Sequence, residues 1–183
     1  MMTAARLRRL GIRTLIVDRT EDVGSNWSKR YERLRLHTPA FMNTFPYQDF
    51  PSTWPKYLPK SRVASFLRFY AESQDLTIWT STTISRDTPP AYDADTQRWQ
   101  VHLERSGSPI VVRPRHLVLA TGWLGLPREL LHIPGRNDFR GSIFHTSRSP
   151  RGDSFAGKKV VIIGVVSFHS SRVTQRVVQL MNP

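Results

Sequence analysis

The apolar positions of this chain fall into short runs whose spacing switches between helical and extended periods. Residues 3–10, TAARLRRL, set Ala4, Ala5 and Leu7 against three arginines and stop at Gly11, the pattern of a helix closed by glycine. Residues 13–17, RTLIV, then read as a strand that ends at Asp18. Residues 62–72 carry Val63, Phe66, Leu67 and Tyr70 at spacings of three and four. That predicts an amphipathic helix, capped by Ser61 and packed by its apolar face on a sheet. Three β-like runs come next: Leu76-Thr77-Ile78-Trp79 with the threonines behind it, residues 99–103, and residues 110–113. Turn-forming stretches at 89–93 (PPAYD) and 106–109 (SGSP) separate them, so the order predicts an antiparallel meander.

Two later runs lack polar alternation altogether. Leu117-Val118-Leu119-Ala120 and Val160-Val161-Ile162-Ile163 should be covered on both faces, as strands of a parallel sheet are. The first ends in Thr121-Gly122; the second ends in Gly164 and follows the basic turn Gly157-Lys158-Lys159. Ligands of open α/β sheets sit beyond the carboxyl ends of the strands, where glycine lets the backbone come close. Two such strand ends in one chain predict two dinucleotides.

The motifs form an ordered series. Gly24 to Trp27 gives G-x-x-W, and Tyr31, Leu34, Leu36, His37 and Pro39 give Y-x-x-L-x-L-H-x-P before a proline-rich stretch. LVLATG at 117–122 comes next, followed by F-x-G-x-x-x-H at Phe139, Gly141 and His145 and by the lysine-led second nucleotide strand. Over residues 4–164 this order resembles the flavin-dependent monooxygenases that use FAD and NADPH, most of all their fungal and plant-like branch. Ser149 stands where that family commonly has an aromatic four residues after the histidine.

The resemblance implies an α/β fold: an incomplete FAD/NAD(P)-binding Rossmann-type, two-dinucleotide flavoprotein fold with an antiparallel β-meander at about residues 76–115. Residues 1–150 would be a partial FAD-binding domain and 151–183 the start of an NADPH-binding domain. The implied activity is oxygenation of a small organic substrate through a flavin C4a-hydroperoxide. By the same resemblance Asp18 takes the adenosine ribose of FAD, Gly24, Asn26 and Trp27 flank the flavin nucleotide, and Ala120, Thr121 and Gly122 approach FAD. His37 and Thr38 lie near the flavin ring and nicotinamide, with His37 the catalytic candidate through hydrogen bonding. Gly164 and Ser167 are left to hold NADPH phosphate, and His145 links domains.

Other features depart from that pattern. A dinucleotide site needs G-x-G-x-x-G to present N–H groups to the diphosphate, and no two glycines of this sequence stand two residues apart. After Gly164, where small residues are wanted, come Val165, Val166, Ser167, Phe168 and His169. The expectation is therefore an internal segment of a longer enzyme, its first strand and phosphate loop lying before Met1, and inactive alone. The alternative is a non-catalytic protein that acts as a basic interaction module.

Composition narrows the classes further. The 183 residues contain no cysteine, which removes disulfides, thiolate zinc and dithiol flavin reductases. The six histidines are scattered without carboxylates at ligand spacing, so no metal site is expected. The net charge of +13 could attract polyanions, but the arginines are dispersed rather than blocked, which argues against nucleic acid as a partner. No apolar run is long enough to span a bilayer and the start lacks a signal peptide's apolar core, so a cytoplasmic protein is expected.

Overall fold

The computed structural model describes residues 1–122, 134–145, 150, 152–162 and 177–181. The chain divides into two compact units, Met1–Leu119 and Ala120–Pro183.

In the first unit, α1 (Met2–Arg9) is followed by Gly11 at φ +74°, the left-handed conformation a side chain would resist. β1 (Ile16–Val17) then pairs in parallel with β2 (Ile78–Trp79), Ile16 opposite Ile78. Between them run α2 (Ser25–Ser28), a 3-10 turn at Ala40–Asn43 and α3 (Lys60–Ser73). The helix expected at 62–72 is α3, but its N-cap is Pro59 and no side chain caps it. Ser61 lies inside the first turn, so the capping role assigned to it is not realised.

The buried face of α3, with Val63, Ala64, Phe66, Tyr70 and Ala71, does not rest on a sheet. Phe66 and Tyr70 instead meet Ala5 of α1, the linker rings Phe45, Phe50 and Trp54, and Leu76. Phe66 lies 4.3 Å from Phe50 and 5.3 Å from Phe45 between ring centroids. The physical reason is area: strands two residues long offer little surface, whereas the linker supplies several large rings. The Tyr70 hydroxyl donates to the Pro46 carbonyl at 3.0 Å, which leaves this buried phenol satisfied.

The carboxyl ends of α1 and α3 are tied by cations. Arg8 pairs with Asp75, and Arg9 donates to Gln74 at 3.2 Å while stacking 3.9 Å over the Tyr47 ring. Positive charge there also complements the helices' free carbonyls. An open cavity of about 570 Å³ at this junction is walled by these engaged arginines.

The meander is present and antiparallel, with membership different from that expected. β5 (Arg98–Arg105) pairs with β3 (Thr82–Ile84), β4 (Ala91–Asp93) and β6 (Ser108–Val112), and buries Val101 and Leu103. The run at Leu76 to Trp79 belongs instead to the parallel pair. The stretch read as a turn, PPAYD, supplies β4, because Tyr92 packs on Trp99 across the ladder at 5.4 Å.

The largest departure is at residues 117–120, which form no strand; Val118 and Leu119 are 62% and 69% exposed. An apolar run becomes a strand only where a neighbour offers a free edge, and none reaches it among the described residues.

In the second unit β7 (Ile143–His145), β8 (Lys159–Ile162) and β9 (Val177–Met181) are ordered β7-β9-β8. β8 forms where a nucleotide strand was expected, yet it pairs antiparallel, with β9 as its partner. The apolar run at β9 was not assigned from sequence, and it provides the edge that β8 takes.

The Tyr70 environment makes a pH-dependent prediction. Burial first, and Tyr47 second, push its hydroxyl above the usual phenol range, with Arg9 opposing. The folded state holds the proton more tightly than the unfolded chain. The contribution should be complete below about pH 10, the unfolded value, and be lost as pH rises through the folded one. Tyr70→Phe should cost about 1 kcal/mol near neutrality and lose less stability than wild type towards about pH 11. Urea titrations of both chains at the two pH values check this.

Candidate functional site

The candidate site is built where β1 ends. Asp18 follows the strand; its N–H donates to the Trp79 carbonyl and its carbonyl accepts from Thr82 N–H, both at 2.9 Å. Its side chain is exposed and oriented by Thr20, whose N–H and Oγ1 donate to Oδ1 at 2.7 and 2.6 Å. This is an Asx-type turn, and Oδ2 makes no hydrogen bond within the described residues. A carboxylate is thus held at the carboxyl end of a parallel strand with one oxygen open.

The chain then turns into α2. Gly24 is its N-cap at φ +88°, and a Cβ there would lie 2.8 Å from the Ala64 carbonyl oxygen. Glycine therefore lets α2 touch the backbone of α3. Ser25 is buried, Trp27 is half-buried, and Asn26 faces out, accepting from Arg30 through both its carbonyl and Oδ1. An ion pair from Arg68 to Asp22 at 2.8 Å fastens the same loop to α3.

His37 and Thr38 stand on the linker. The segment lies antiparallel to the stretch before α3, with Leu36 N–H donating to the Leu58 carbonyl at 2.8 Å. His37 is exposed; Thr38 is half-buried, and its Oγ1 accepts from Asn43 Nδ2 at 2.8 Å. Ala120, Thr121 and Gly122 are exposed and fall in the other compact unit, so they are not brought to Asp18 within one unit. Gly122 has φ +78° with open space beside it. Gly164 and Ser167 lie outside the described residues. Sequence reasoning missed Thr20 and Asn43; the D-x-T spacing was the signal for the first.

Residues 13–178 match the family described as FMO-like, flavin-binding monooxygenase-like. The chain belongs to that family. Among curated relatives of this flavin-binding group, it is 32% identical over 165 residues to indole-3-pyruvate monooxygenase YUCCA1 of Oryza sativa subsp. japonica, covering 90% of this chain and 39% of the relative. It is also 32% identical over 165 residues to the probable indole-3-pyruvate monooxygenase YUCCA4 of Arabidopsis thaliana, covering 90% and 38%. The chain therefore spans about two-fifths of the length of these relatives. Of solved structures, a double mutant of a flavin monooxygenase from Stenotrophomonas maltophilia superposes with TM-score 0.71 at 23% identity, over 86% of this chain and 44% of that one. Bacillithiol disulfide reductase from Bacillus cereus gives TM-score 0.59 at 14% identity, over 71% and 40%. Likeness at these identities shows the fold, the α/β Rossmann-type arrangement of FAD-binding flavoproteins.

A flavin dinucleotide fits these residues only in part. The open oxygen of Asp18 suits a ribose diol. The sequence offers no G-x-G turn for the diphosphate, and no buried side-chain polar atom among the described residues lacks a partner and so awaits one.

The contact at Gly24 makes a second prediction. Gly24→Ala forces a side chain into a left-handed position, at about 1–2 kcal/mol, and presses it on the Ala64 backbone. The variant should lose about 2 kcal/mol or more, read as a lowered urea midpoint with unchanged slope.

Proposed function

We propose that this chain is the FAD side of an NADPH-dependent flavin monooxygenase of the cytoplasm, and that its 183 residues alone neither retain FAD nor oxidise NADPH. The observation that carries the reading is Asp18, a carboxylate fixed by Thr20 at the end of a parallel strand with one oxygen unengaged. In the full site that oxygen accepts from the ribose hydroxyls of FAD. The turn from Gly24 to Trp27 flanks the nucleotide, and Ala120, Thr121 and Gly122 approach it from the second unit. His37 and Thr38 supply hydrogen bonds beside the flavin and nicotinamide rings, with the Thr38 hydroxyl set by Asn43. Gly164 and Ser167 are assigned to NADPH phosphate. Bound FAD would bring activation of dioxygen; these residues would bind, orient and exclude water. The substrate is a small organic molecule, and an aryl 2-oxo acid, the class in the plant relatives' names, is the first to test.

Loss of the diphosphate donors supports the second half of the proposal. Mixed with excess FAD and desalted, the chain should emerge colourless, and a yellow protein with stoichiometric flavin absorbance would overturn that half. A chimaera in which the glycine-loop strand of the rice relative precedes Ala4 should gain flavin. In it Asp18→Ala should weaken retention by about tenfold or more, as loss of one charge-assisted hydrogen bond does. A chimaera that folds and stays colourless would count against the first half.

A further inference from the structure

Residues 29–62 present a surface that the flavin reading leaves unexplained. Along the extended stretch 33–37 exposure alternates: Arg33, Arg35 and His37 face out, Leu34 and Leu36 are half-buried. This stretch runs antiparallel to the segment before α3, with Arg35 opposite Pro59 and Lys60 N–H donating to the Leu34 carbonyl at 2.9 Å. The ladder leads into the 3-10 turn Ala40–Asn43, where Ala40 N–H donates to the Lys56 carbonyl at 2.7 Å. Lys56 is thereby set beside the turn that carries Phe41 and Met42, which are 71% and 64% exposed. Arg35 reaches the Tyr57 carbonyl at 3.4 Å, and Lys56 Nζ lies 5.7 Å from the Tyr57 ring centroid.

The cations of this surface are free of counter-charge. Among the described residues Arg33, Arg35 and Lys56 make no ion pair, and the carboxylate of Glu32 is engaged by Lys60 at 3.5 Å. An apolar pair on a projecting turn, bordered by unpaired cations and a tyrosine, is the arrangement that binds at a lipid interface. We propose that this face docks on membranes rich in acidic phospholipid. Phe41 and Met42 enter the boundary between headgroups and acyl chains, while Arg33, Arg35 and Lys56 meet the anionic headgroups. A lipid surface fits better than single-stranded nucleic acid, because Phe41 is followed by flexible Met42 and not by a row of rings on which successive bases could stack. Docking is peripheral: no helix among the described residues is long and apolar enough to cross a membrane. The net charge of +13 adds a screened, long-range attraction. The proposal does not depend on flavin binding.

Flotation of the full chain with vesicles tests it, since aggregates sink and only lipid-bound protein rises. The chain should float with phosphatidylcholine vesicles that contain phosphatidylserine and not with phosphatidylcholine alone. The floated fraction should fall several-fold between about 0.1 and about 0.5 M salt. Arg33→Glu, Arg35→Glu and Lys56→Glu together should abolish flotation, and Phe41→Ser with Met42→Ser should weaken it about tenfold. A charge-matched control, Arg86→Glu with Arg113→Glu and Arg115→Glu, should leave it within about twofold, because these exposed arginines lie outside the patch. Absence of flotation by the wild-type chain, or equal loss in the control, would overturn the proposal. So would tighter binding of a fluorescent oligouridine at the same salt, abolished by the first triple variant. The lipid and salt dependence of the wild-type chain decides the matter even if a variant fails to fold.

Discussion

The aromatic packing on α3 is the contact from which the first unit takes its shape. Phe66 and Tyr70 hold the linker through Phe45 and Phe50 and hold α1 through Ala5. A neighbouring position of the same helix, Ala64, receives Gly24. One helix thus fixes both the turn from Gly24 to Trp27 and the linker on which His37 and Thr38 stand. Burying a side chain the size of Phe66 contributes about 1.5–3 kcal/mol, and each well-placed ring pair adds about 0.5–1.5 kcal/mol. A parallel pair of two-residue strands has no comparable source of stability. The strand end that carries Asp18 is therefore positioned from the helix side.

This explains which features could be read from sequence. The spacing of Val63, Phe66, Leu67 and Tyr70 is a property of α3 alone, because residues three and four apart share a helical face whatever surrounds them. The stop at Gly11 is similarly local. A strand is not: residues 117–120 have the composition of one, yet pairing depends on an edge that another segment must provide. The same dependence turned Ile78 and Trp79 from the meander to a parallel pairing with β1, and gave β8 an antiparallel partner. The sheet's membership was thus the least legible part, and the order of motifs the most legible.

At the site, position was easier to read than environment. Asp18 could be placed at a strand end from the apolar run before it, but that Thr20 occupies one of its oxygens follows only from the turn geometry. Gly24 matched a ligand-side motif, and the structure gives its missing side chain a second use, the close approach to Ala64. Thr38 was visible as a polar neighbour of His37, whereas its partner Asn43 lies five residues on, across the 3-10 turn. Side chains that orient a functional group act through contacts that spacing alone does not encode.

A half-built site raises the question of what it can hold by itself. Association costs about 4–15 kcal/mol in lost translational and rotational freedom, whereas a hydrogen bond to a charged group returns about 1.5–3 kcal/mol. Asp18 alone falls short of that cost even when Thr20 has already oriented it. Its negative charge cannot help the diphosphate, which needs N–H donors and a helix amino end. The net charge of +13 raises the local concentration of any anion but is screened over about 8–10 Å and lacks direction. Orientation without phosphate donors therefore gives selectivity for a ribose without affinity for the dinucleotide, and affinity has to come from residues that these 183 do not supply.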